Sequence, residues 1–271
     1  MQVALLVQRQ PLWIISVSLA LVATLILTWL PELDRAAQDY LANALSDNLV
    51  VYASARALNA LISVIQSIEI SFSLGAGVAV NLGEVLDPLN DLIERFSAFI
   101  LYALAGLGLQ QLALTASSSI FTKALLSLAL VTGFLWWLVA EDGLPKWAKK
   151  LLLFLLMVRF IFAVEVGVSW LLDKAYFEVQ QQEALSTLDI AKIKLETVQD
   201  QYIEAADERG MFGSIWDTAR QIVGGENQEG IADLAASAIV QLIVIMLVRS
   251  ILLPVFFVWL MFYLFRRFIP E

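Results

Sequence analysis

ISVIQSIEISFSLGAGVAVNLGEVLDP, Ile62 to Pro88, is the stretch on which the threading of the chain turns: it crosses a bilayer or it lies beside one. Glu69 is the only charge between Ala57 and Leu82. Those 26 residues of helix would reach about 39 Å at 1.5 Å each, enough to span with some tilt. Ser63, Ser67, Ser71, Gly75, Ala79 and Gly83 recur at every fourth position. Such a small-residue ladder lets a second helix approach closely within lipid, where serine hydroxyls bond their own i−4 carbonyls. The competing expectation is a long amphipathic helix lying on the membrane surface.

The rest of the chain belongs to a bilayer. Of 271 residues, 60% are hydrophobic and 16% charged, against roughly 45–50% and about 25% in an ordinary soluble domain. Apolar runs near the ~20 residues that cross hydrocarbon recur at 12–30, 98–116, 120–140, 151–172 and 239–265. Trp13, Trp29, Trp136, Trp137, Trp147, Trp170 and Tyr263 fall near their ends, at the level amphipathic rings prefer. The expected fold is all-α and multi-pass, with six spans if 57–82 crosses and five if it does not. Residues 1–172 form the membrane region, 173–235 an acidic helical region outside the membrane, and 236–271 the last span with a basic tail.

Charge placement favours six. With the N-terminus inside, cytoplasmic segments hold Arg9, Arg95, Lys146, Lys149, Lys150, Arg266 and Arg267, and short outer segments hold Arg35, Arg56 and Lys123, in keeping with the positive-inside rule. Five spans with the N-terminus outside is the alternative, opposed by Arg9 alone. The absence of any Asn-x-Ser/Thr acceptor fits a bacterial inner membrane. Both termini are then cytoplasmic and 173–235 extracytoplasmic.

Between Asp173 and Asp233 the chain carries 5 Lys/Arg against 13 Asp/Glu, a formal −8 out of −9 for the whole protein. Phe177, Gln181, Ala184, Leu188, Ala191, Leu195, Val198, Tyr202 and Ala205 alternate by four and three there, the seam spacing of a coiled-coil helix. That seam packs on the protein itself or takes a partner, a second copy included. SIWDTARQIV reads as a shorter amphipathic helix and GGENQEG as a turn into the last span.

Glu69, Arg159, Glu165 and Arg249 sit inside expected spans, where an ionisable residue is costly enough to suggest a function. Helical rise puts Glu165 and Arg249 at one depth and Glu69 and Arg159 at another, so two neutral pairs are expected, a structural lock rather than a charge carrier. Pro254 would kink the last span near Arg249. Glu84, Asp87, Asp91 and Glu94 would share one face of a helix begun by Pro88, a solvated face or a cation or basic-partner site. Gly106 and Gly108 fall in an apolar helix, where close packing explains them.

Cysteine and histidine are both absent. That removes disulfides, thiol chemistry, the usual zinc sites and every His-based acid/base arrangement. No phosphate loop, nucleophile elbow or zinc motif occurs and no basic patch suggests nucleic acid. No catalytic residue, metal site or cofactor is therefore expected. The function that fits is a non-enzymatic membrane scaffold or accessory subunit meeting a partner through its acidic helical region. The alternative is an ion or small-solute channel or transporter with the embedded charges lining its path.

Overall fold

The computed structural model describes residues 11–76, 82–140, 143–207, 221–222, 224–225 and 228–268. The chain is an all-α, multi-pass membrane protein, with five helices long and apolar enough to cross a membrane. The order is α1 (Pro11–Trp29), α2 (Pro31–Ala76), α3 (Leu82–Ser117), α4 (Ile120–Val139), α5 (Lys146–Leu172), a first π-turn (Asp173–Phe177), α6 (Glu178–Asp207), a two-residue antiparallel pair β1 (Gly224–Gly225) and β2 (Gln228–Glu229), α7 (Ile231–Leu247), a second π-turn (Val248–Leu252) and α8 (Leu253–Phe268). Gly224 takes a φ of +91° at the start of that pair, a backbone state glycine adopts freely.

Contacts divide the chain into two units. The first comprises Met1–Ala44, Leu107–Leu171 and Leu252–Glu271. Leu126 and Leu130 of α4 and Leu155 of α5 pack there against Leu21 and Leu25 of α1. Trp29 Nε1 donates to Ser127 Oγ at 2.9 Å, and Phe154 meets Phe265 edge to face at 6.3 Å. Ser119 caps α4 by accepting from the Thr122 amide. Each of these helices also turns large apolar side chains outward, among them Leu19, Ile26, Phe121, Leu128, Phe154, Trp259 and Phe262. Such an exterior is solvated by lipid.

The second unit, Leu45–Gly106 and Leu172–Ile251, is built on heptads. Along α2 within this unit the buried positions are Asn48, Val51, Ala55, Leu58, Ile62 and Ile65, a strict alternation of three and four. Leu86, Leu89, Ile93, Phe96, Ile100 and Ala103 repeat it along α3, and Ala184, Leu188, Ala191, Leu195 and Val198 along α6. With Ile231, Ala235, Ala238, Ile239, Leu242 and Met246 of α7 these seams enclose one core. Gln66 Nε2 donates to Asp87 Oδ1 at 2.9 Å, so the end of α2 meets the start of α3. Gln181 meets Arg249 in the same way, setting the start of α6 beside the end of α7. Two antiparallel hairpins thus make a four-helix bundle. The seam of α6 packs on the protein itself.

Residues 57–66 and 86–96 share that core with α6, whose Glu183, Asp189, Lys194 and Asp200 are exposed. Asp47, Arg56, Glu94 and Arg95 are likewise exposed on the bundle. One correction concerns Pro88: α3 begins at Leu82, so the proline is inside the helix instead of starting it.

Candidate functional site: the buried charges

Arg159, halfway along α5, is wholly buried. Its Nη2 lies 2.8 Å from Asp34 Oδ1 and 3.1 Å from Oδ2, and donates to the Thr28 carbonyl at 3.0 Å. Lys123 reaches the same carboxylate, Nζ to Oδ2 at 2.7 Å, and stands 6.0 Å from the centroid of the Trp29 ring. Local sequence explains the geometry. Pro31 opens α2 at the position where a missing amide costs nothing, and Asp34 in its first turn sits at the positive end of the helix dipole. Lys123 is in the first turn of α4. One carboxylate thus ties three helices of the first unit together. The Nε and Nη1 of Arg159 find no hydrogen-bond partner among the described residues.

Arg249 belongs to the second unit. Its Nη2 lies 3.3 Å from Asp173 Oδ2, and its Nη1 donates to Gln181 Oε1 at 3.4 Å. Acid and base each sit in a π-turn, Asp173 in the first and Arg249 in the second. Pro254 has no amide hydrogen for the Ser250 carbonyl four residues back, and a π-turn absorbs the disturbance expected there. The same carbonyl oxygen would lie 2.7 Å from a Cβ added to Gly106, so this glycine is required by close approach. Gly108 has open space around its Cβ direction.

Glu165 is buried in α5. Ser169 Oγ donates to its Oε1 at 3.3 Å, and Oε2 has no hydrogen-bond partner among the described residues. Arg249 takes Asp173 where Glu165 was expected. Arg159 takes Asp34, and the side chain of Glu69, the partner expected for it, lies outside the described residues.

Of the acidic face, Asp87 accepts from Gln66 and Asp91 pairs with Arg95 at 2.9 Å, both exposed. Glu94 is exposed, and the Glu84 side chain is outside the described residues. Among the described residues no group of acids could hold a metal ion. Of the small-residue ladder, Ser63 is exposed and donates to the Asn59 carbonyl of its own helix at 2.9 Å. The side chains of Ser67, Ser71, Gly75, Ala79 and Gly83 lie outside the described residues. A groove of about 370 Å³ opens between α4 and α5, lined by Leu128, Thr132, Trp136, Trp147, Leu151 and Leu152 among others. Asp34 is the participant that the sequence did not yield. It fell in a presumed outer segment, and the available signal was a proline followed by acids at a helix start.

No family description, characterised protein or solved structure matches this chain.

Proposed function

We propose that the protein is a membrane scaffold or accessory subunit, with a lipid-embedded anchor carrying a water-facing four-helix bundle as its interaction module. The observation that carries this reading is the pairing of Arg249 in the bundle, and of Arg159 and the part-buried Lys123 in the anchor, with carboxylates that join helices. Charges used in this way hold helices together and favour conformational specificity over turnover. Since the seam of α6 is occupied by α7, a partner meets the outer faces of the bundle, where the acidic residues lie. The experiment is affinity purification of the full chain from its native membrane after cross-linking, comparing wild type with a variant carrying Glu183→Lys, Asp189→Lys and Asp200→Lys. A specific co-purifying protein or second copy that the charge reversal removes supports the proposal. An unchanged set of co-purifying proteins opposes it.

By the positive-inside rule the basic residues Arg9, Lys146, Lys149, Lys150, Arg266 and Arg267 support a cytoplasmic placement of both termini and an extracytoplasmic one for 173–235, and the membrane fits a bacterial inner membrane.

A transporter is the second reading, and Glu165 is the observation that favours it, since its Oε2 is buried without a hydrogen-bond partner. Ion flux into liposomes above the protein-free rate, abolished by Glu165→Gln, would replace the scaffold with a carrier.

A further inference from the structure

We infer that the Asp34, Lys123 and Arg159 cluster binds a phosphate-bearing anion at the surface of the first unit, either the phosphodiester of a phospholipid head group or free phosphate. Two cations share one carboxylate here, so the cluster carries a net formal charge of +1. Glu32 and Arg35, exposed to either side of Asp34, cancel one another. The first turn of α4 holds no acid. α2 and α4 both begin at the cluster, and helix starts add positive potential.

Donors exceed acceptors as well. The Nε and Nη1 of Arg159 are buried with no hydrogen-bond partner among the described residues, and Lys123 has three protons for the single carboxylate oxygen it reaches. Several acceptor oxygens on one tetrahedral group match a guanidinium beside an ammonium better than a monatomic anion does. Access is from the lipid side. The Lys123 side chain keeps 13% of its surface, and Trp29 beside it is 49% exposed. Lys123 is 16 positions before Val139, about 24 Å along α4, which places it near the head-group level opposite the Lys146 end. Indole rings such as that of Trp29 favour this level.

The test is native mass spectrometry of delipidated full-length protein in detergent, supplied with dioleoyl phosphatidylglycerol or with dioleoylglycerol, which has the same chains and no phosphate. Wild type should retain one phosphatidylglycerol with about tenfold preference over dioleoylglycerol. Lys123→Gln should lose that preference, and Lys123→Arg, which keeps the charge and the donors, should keep it. Inorganic phosphate that binds wild type and displaces the lipid identifies free phosphate as the ligand. Failure to displace identifies the head group. Equal retention of the two lipids by wild type overturns the inference, as does an undiminished preference in Lys123→Gln.

Discussion

Replacing Asp34 by Asn removes the single carboxylate between Arg159 and Lys123 while keeping its shape. Charges about 2.8 Å apart attract by roughly 6 kcal/mol at an effective dielectric near 20, before the desolvation of both partners is charged against them. Arg159 is fully buried and cannot recover water when its partner goes, whereas Lys123 keeps 13% of its side-chain surface and can reach outward. Breaking a buried pair from one side costs about 3–5 kcal/mol. Asp34→Asn is therefore expected to lose about 3 kcal/mol, its amide oxygen still accepting one hydrogen bond. Arg159→Met should lose a similar amount by leaving Asp34 with Lys123 alone. The double variant Asp34→Leu with Arg159→Met should stand within about 1–2 kcal/mol of wild type, because an apolar replacement of a whole pair is close to neutral. Unfolding by sodium dodecyl sulfate titration in mixed micelles, followed by circular dichroism, measures each. If the separate losses of Asp34→Leu and Arg159→Met add to within about 0.5 kcal/mol in the double variant, the residues are uncoupled and the lock does not exist.

Three further outcomes are expected. Cysteines introduced singly at Ser46, Asp91 and Ser186, all exposed on the bundle, should all react with an impermeant maleimide from the same side of the membrane; a crossing at 57–82 would place Asp91 opposite the other two. Gly106→Ala drives a Cβ to 2.7 Å from the Ser250 carbonyl oxygen and should destabilise by about 1–3 kcal/mol. Gly108→Ala, with open space, should be neutral or stabilise by up to about 1 kcal/mol, and equal melting temperatures for the two variants would show that the close approach is not real. Leu195→Ala, in the wholly buried seam of α6, should cost about 2–5 kcal/mol, and a loss below 0.5 kcal/mol in the same titration would mean that α6 is not packed on the bundle.

The helical, membrane-bound character of the chain was legible because it rests on composition and run length. α1, α4 and α5 fall within a few residues of the apolar runs that announce them, and the seam of α6 was readable because charges on its other faces make the alternation conspicuous. The matching heptads of α2 and α3 were not read. Their outward positions include Leu49, Val50, Val64, Leu101 and Tyr102, so the contrast between faces is weak, and apolar content alone resembles a span. Buried charges were recognised one by one, but helical rise compares depths and says nothing of which helices are neighbours. Asp34 escaped because it lies outside every expected span, and Asp173 because it had been counted with the acidic region.

The opening stretch shows how little separates the two media. The ladder through Ser63 and the seam through Ile62 and Ile65 are one residue apart on the same helix, and only the partners decide between them. Ile62 and Ile65 are buried with Leu86, Leu89 and the seam of α6; Ser63 faces outward and satisfies its hydroxyl on its own helix. Val64 beside it is exposed as well, while Ile62 and Ile65 keep the three-and-four spacing of the seam. That spacing, and not the ladder's regular four, carries the packing of the described part of α2 in the second unit.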